Sequence, residues 1–151
     1  MTIASKSPTD KHLELYRAYE NLSRSHISNH LIAEQLKISR KQLGYIISQY
    51  EFESSLEYRI AEQNGEYFFN GDYYLSKGVT SNIPNKEIAE ILKFTRKLVK
   101  QHEGIDYLQT FYSIEQDCKL FFIDNLNTEM IESGGFSVSD NYATLILSSE
   151  Y

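Results

Sequence analysis

The sequence predicts an α+β fold in which an N-terminal unit of three helices precedes an antiparallel sheet with one packed helix. Three observations lead to this prediction. Apolar residues recur at helical spacing in three segments before residue 55. Aromatic and β-favouring residues then dominate 56–77, and strand-like runs return after residue 107. One long amphipathic segment, 84–103, lies between them.

The first eight residues are small and polar and are expected to form a disordered lead-in. A helix-forming unit over 9–55 follows, with Thr9 as the first N-cap and Asp10 in the first turn. A second, short helix starts at Ser28 or Asn29. The third is signalled by Ser39-Arg40-Lys41-Gln42, a capping box in which Ser39 and Gln42 satisfy each other's backbone N–H groups.

The remaining residues, 56–151, are predicted to form an α+β domain. Asn64-Gly65 and Asn70-Gly71 tolerate the positive φ of tight hairpin turns, so a meander of two or three short strands is expected here. Pro84 near the first turn and Gly104 after the last one bound the long helix. Three further strands are predicted at Leu108–Ile114, Cys118–Ile123 and Ala143–Leu147.

Charge divides the 151-residue chain unevenly. Its 15 Lys and Arg and 21 Asp and Glu give a formal net charge of −6. Residues 1–50 carry seven basic and four acidic side chains, a balance of +3, which leaves −9 for the rest. A basic unit joined to an acidic one is typical of a nucleic-acid reader with a separate partner-binding body. The alternative is that the uneven distribution of surface charge arose by drift and has no function.

The expected location is the cytoplasm. No apolar run approaches the ~20 residues of a membrane span, and residues 1–6 lack the apolar core of a signal peptide. The single cysteine, Cys118, excludes an internal disulfide and a multi-thiolate metal site.

Residues Ile32 to Ile47 resemble the helix-turn-helix of bacterial transcription regulators. The resemblance rests on a small residue at the helix crossing, apolar residues in the turn and in the second helix, and a capping serine: Ala33, Leu36, Ile38, Ser39, Leu43 and Ile46. The family usually has a glycine in the turn, where this chain has Lys37.

The resemblance implies that the second helix enters the major groove of duplex DNA. Its groove-facing residues would be Ser39, Arg40, Lys41, Gly44, Tyr45 and Ser48, with Lys37 and Arg24 as phosphate contacts. A three-helix packing unit with solvated cations is the alternative. The following meander could be a wing that contacts the DNA backbone, but Glu62, Glu66 and Asp72 would repel phosphates, so a packing role for it is favoured.

The C-terminal half faintly resembles a small uncharacterised bacterial domain family. The similar segments are Leu75–Val79, Leu120–Asp124 and Thr144–Tyr151. Because that family has no assigned activity, the resemblance implies no catalytic residue.

No catalytic pattern is found in the sequence. Four histidines and one cysteine are present outside any Cys-x-x-Cys, His-Glu-x-x-His or Gly-x-Ser-x-Gly motif. His26 and His30 have the spacing of a metal pair on a helix, but a helix start between them would separate the two rings. We therefore expect no enzyme activity, no cofactor and no metal site.

The sequence therefore predicts a small DNA-binding transcriptional regulator of bacterial or phage origin. Its acidic C-terminal domain would dimerise or bind a protein, and a homodimer on a palindromic site is expected. The alternative is a phage- or plasmid-type inhibitor of a nucleic-acid-handling complex, acting through acidic residues without catalysis. That alternative requires four carboxylates on one face: Asp72, Glu129, Glu132 and Asp140.

Overall fold

A computed structural model of the chain describes residues 10–59, 61 and 65–151. It confirms the α+β class, with three N-terminal helices followed by a five-stranded sheet and further helices. Helix α1 spans Asp10–Ser23. Helix α2 (Asn29–Leu36) begins at one of its two predicted positions, and α3 (Arg40–Glu51) begins directly after the predicted Ser39 cap. The predicted lead-in and the predicted Thr9 cap lie outside the described residues.

The turn between α2 and α3 is short, since α2 ends at Leu36 and α3 begins at Arg40. Lys37 takes the left-handed conformation, with φ 58° and ψ 41°, that a glycine would adopt more easily. The next residue, Ile38, donates its N–H to the Ala33 carbonyl at 3.0 Å. The capping box is confirmed, because Ser39 Oγ accepts from Gln42 N and Gln42 Oε1 accepts from Ser39 N. The chain therefore makes this turn with a left-handed lysine in place of a glycine.

Five strands form one mixed sheet. They are β1 (Leu56–Arg59), β2 (Asp72–Leu75), β3 (Leu108–Ser113), β4 (Cys118–Asp124) and β5 (Tyr142–Leu147). The strand order is β1-β3-β4-β5-β2, in which β2 runs parallel to β5 and the other neighbours are antiparallel. The three C-terminal strands match their predicted positions to within one residue at each end.

The predicted meander is wrong. Strands β1 and β2 lie at opposite edges of the sheet and do not pair with each other. The chain crosses between them through Phe69, which has a positive φ of 49° and donates its N–H to Asp124 Oδ2 at 2.9 Å. Gly71 permits a close passage rather than a hairpin, because a Cβ there would lie 2.0 Å from the Asn141 carbonyl oxygen. The other predicted turn includes Asn64, which lies outside the described residues.

Three helices accompany the sheet. The long helix α5 (Asn85–His102) matches the predicted segment, with Pro84 as its N-cap. Its left-handed C-cap is Glu103, directly before the Gly104 that was expected to end the helix. Helices α4 (Lys77–Asn82) and α6 (Thr128–Gly134) were not predicted, because each is too short to show a period.

The helical unit and the sheet share one apolar core. Leu43 and Ile47 of α3 belong to the same buried cluster as Phe111, Leu120 and Leu145 of the sheet. Strand β1 packs against α3, and Phe94 of α5 contacts Phe111 edge-on. Relative to one another, α3 and the sheet are thus fixed by packing. Within the described part of the chain, no helix has the length and apolar character needed to cross a membrane.

Candidate nucleic-acid interface

Helix α3 exposes less of its surface than the sequence suggests. Lys41 is exposed and Tyr45 is 39% exposed, on the side away from the sheet. Gly44 is buried, and Ser48 is 2% exposed with its hydroxyl donating to the Tyr45 carbonyl at 3.0 Å. The prediction that Gly44 and Ser48 face DNA is therefore wrong.

Arg40 also departs from its predicted place. It is half-buried, and its guanidinium donates to the Ala61 carbonyl, just beyond β1. Positions 40, 44 and 48 recur every four residues and so occupy one side of a helix. Gly44 and Ser48 on that side are buried. Their small size, next to the exposed Lys41 and Tyr45, was the signal in the sequence for the buried side of the helix.

The open side of α3 forms a groove with α1. The groove has a volume of about 430 Å³. Its lining combines cationic, aromatic and aliphatic side chains from both helices: Lys11, His12, Leu15, Ile38, Lys41, Gln42, Tyr45 and Ile46. The His12 and Tyr45 rings meet edge-on at 6.1 Å between centroids. Sequence reasoning missed Lys11 and His12, because the partner face of α1 is set by tertiary packing.

The two predicted phosphate contacts lie in different places. Lys37 is exposed in the turn that leads into α3. Arg24 lines a separate hollow at the end of α1, together with Lys97 and Lys100 of α5. Lys97 Nζ there pairs with Glu51 Oε1 at 2.8 Å. Arg24 thus lines a hollow of mixed charge, which Glu20 and Glu51 also line, rather than the α3 groove. Ser39, the remaining predicted contact, is exposed at the start of α3.

Side-chain hydrogen bonds join β1 to β3 near the start of α3. The Tyr58 hydroxyl of β1 donates to Gln109 Oε1 at 2.6 Å, and Gln109 Nε2 donates to the Asp106 carbonyl at 2.8 Å. Burial raises the pKa of the Tyr58 hydroxyl, so it stays protonated as a donor. These bonds fix the strand on which Arg40 rests.

Several carboxylates of the body gather around one hollow. Four glutamates surround one hollow beside Phe68: Glu66, Glu103, Glu129 and Glu132. Asp72 and Asp140 are exposed but do not line this hollow. The acidic face is therefore built from two of the four predicted residues and two others.

The start of α2 lies between His26 and His30. His26 has a positive φ of 58° and precedes α2, while His30 Nε2 in α2 lies 3.8 Å from Glu34 Oε2. Among the described residues, no group of three or more His, Cys, Asp or Glu side chains is arranged to hold a metal ion. Comparisons with protein-family models, curated proteins and solved structures find no match for this chain.

Proposed function

We propose that the chain is a small DNA-binding regulator that contacts duplex DNA through the exposed side of α3. The observation that carries the proposal is the left-handed turn at Lys37 leading into the capped N-terminus of α3, which is the geometry of a helix-turn-helix. Lys41 and Tyr45 are exposed on the first two turns of α3, where this motif makes its base and backbone contacts.

The binding surface is the α1–α3 groove together with the turn. Lys11, Lys37 and Lys41 supply three positive charges to it. Since the side of α3 with Gly44 and Ser48 is buried, the helix meets DNA along one edge. Few phosphate contacts give weak binding with a shallow salt dependence. A homodimer on a two-fold site would raise the affinity, and we propose it as the bound form.

Fluorescence anisotropy on random-sequence duplex DNA, titrated across salt, tests the proposal. The variant Lys37→Ala with Lys41→Ala should bind about tenfold more weakly at low salt. Its slope of log K against log salt should be shallower by about 2, because each lost phosphate contact removes about one unit. Lys93→Ala with Lys119→Ala is the matched control, since it removes the same charge from exposed positions elsewhere. Equal loss in both double variants would contradict the assignment to α3.

Arg40→Ala separates a structural role from a DNA-reading one. Arg40 bonds to the Ala61 carbonyl, so its loss should lower the melting temperature. If Arg40→Ala instead lowers the DNA affinity and leaves the melting temperature unchanged, Arg40 contacts DNA, as the sequence predicted.

The acidic hollow supports a second candidate, a protein-binding inhibitor. Its four glutamates present one negative surface beside a partly buried Phe68. Such a surface fits a basic, nucleic-acid-binding groove of another protein. Charge reversal by Glu129→Lys with Glu132→Lys should then abolish inhibition of a DNA-handling enzyme, whereas reversal of the exposed Glu115 and Asp140 should leave it intact.

A further inference from the structure

A small polar pocket lies where the helical unit meets the body. Its walls come from the start of α2, the first residue of α3, β1, the end of α5 and the start of β3. The volume is about 180 Å³, or about six water-sized volumes. Eight polar side chains line it: Ser28, Asn29, His30, Arg40, Tyr58, His102, Asp106 and Gln109. It is separate from the α1–α3 groove.

Two polar atoms in this pocket have hydrogen-bonding capacity left over. Asn29 is 8% exposed, and its Oδ1 is buried with no hydrogen-bond partner among the described residues. His102 Nε2 is also buried and has no hydrogen-bond partner among the described residues. A buried acceptor without a donor is costly, so native structures fill such positions with a ligand or with ordered water. The pocket is thus polar and incompletely satisfied.

The pocket also joins one positive and one negative side chain. The Arg40 guanidinium and the Asp106 carboxylate both line it. Asp106 Oδ1 accepts from Tyr107 N at 2.9 Å, which leaves its other oxygen for a further donor. Burial lowers the pKa of His102, so its imidazole is neutral at neutral pH and Nε2 can accept or donate. The pocket therefore combines one cationic and one anionic side chain with neutral donors and acceptors.

We propose that this pocket binds a small zwitterion, namely a free α-amino acid. Its ammonium group would donate to Asn29 Oδ1 and to the Asp106 carboxylate, and its carboxylate would face Arg40 and His102. A nucleotide or another drug-sized ligand is excluded by size, since such ligands occupy about 300 Å³ or more. A plain anion would leave the Asn29 acceptor unsatisfied. The proposal does not depend on DNA binding and is tested without DNA.

Thermal unfolding of the full chain in the presence of each standard amino acid is the first test. A ligand that binds the folded state raises the melting temperature with saturation. Acetate and methylamine at the same concentration are the single-charge controls, and both should bind at least about tenfold more weakly. Amide chemical-shift mapping on the unmodified protein should place the largest changes at Asn29, His102 and Asp106.

Asp106→Asn should weaken amino-acid binding about tenfold or more, because it removes one charge-assisted hydrogen bond. Asp72→Asn is the matched control, since Asp72 is exposed on β2 outside the pocket. The proposal is overturned if no amino acid binds, if acetate binds as tightly as the amino acids, or if both variants bind equally. If Asp106→Asn does not fold, the amide chemical-shift mapping on the unmodified protein decides instead. Amino-acid-induced shift changes confined to residues outside the pocket would then overturn the proposal.

Discussion

The helical unit, residues 10–51, and the body, residues 56–151, use their polar side chains in opposite ways. In the body, Glu87 and Asp124 are each 2% exposed, and both accept hydrogen bonds from buried donors. Ser113 Oγ donates to Glu87 Oε1 at 2.6 Å, which ties α5 to β3. In the helical unit, the carboxylates of Glu14 and Glu34 and the cations of Lys37 and Lys41 are exposed instead.

This difference shows that the position of a charge tells more about its role than the net count. The body has the larger negative charge, yet two of its carboxylates serve as internal acceptors that hold loops and strands in place. In the helical unit, Glu51 of α3 is the comparable carboxylate, because its side chain is 8% exposed and pairs with Lys97 of α5. Lys37 and Lys41 are exposed and available for a partner. The helical unit is therefore the part of the chain to which we assign the proposed DNA contact.

The largest expected effect is the loss of a buried acceptor in the body. Asp124 accepts from Phe69 N, Asn125 N and Asn141 Nδ2 at 2.9 to 3.0 Å. Asp124→Ala leaves these donors unsatisfied and should lower the free energy of unfolding by about 3 kcal/mol, measured by chemical denaturation. In the helical unit, Glu34→Ala should change it by less than about 0.5 kcal/mol, because the Glu34 carboxylate is exposed. If Asp124→Ala and Glu34→Ala lower the free energy of unfolding by similar amounts, the two regions do not differ in how they use their carboxylates.

A smaller effect is expected at the turn of the helical unit. The left-handed conformation of Lys37 costs about 1 kcal/mol of stability. A glycine avoids this strain, but its more flexible backbone raises the entropy of the unfolded chain and cancels part of the stabilisation. Lys37→Gly should therefore raise the free energy of unfolding by about 0.5 kcal/mol. Lys37→Ala removes the same charge but keeps the Cβ, so it should give no such gain. Equal stabilities of the two variants would show that the turn is unstrained.

The smallest effect is a pH dependence at the boundary between the two regions. Burial lowers the folded-state pKa of His102, whereas the unfolded chain has the ordinary value of about 6.5. Between these two values the unfolded state binds more protons, so stability should fall as the pH drops below about 6.5. His102→Gln should remove this contribution, seen as a flatter profile of melting temperature against pH. The raised pKa values of Asp106 and Asp124 act in the opposite direction at lower pH and are common to both proteins.

Local signals in the sequence predicted most element boundaries. The caps at Ser28 and Ser39 and the apolar period of α5 depend on residues within a few positions of each other, so they can be found by inspection. The same holds for the C-terminal strands. Short helices such as α6 were not predicted, because seven residues make only about two turns and show no clear apolar periodicity.

The sequence by itself determined the α+β class, the capped helix pair and the asymmetry of charge, since each follows from residue type and spacing. Tertiary structure decided which strands pair, and it placed β1 and β2 at opposite edges of the sheet. It also decided which side of α3 stays open, because packing against the rest of the chain buries Gly44 and Ser48 and half-buries Arg40, while Lys41 and Tyr45 stay exposed. Strand pairing and helix burial depend on contacts between residues far apart in the chain, and a local pattern carries no information about its distant partner.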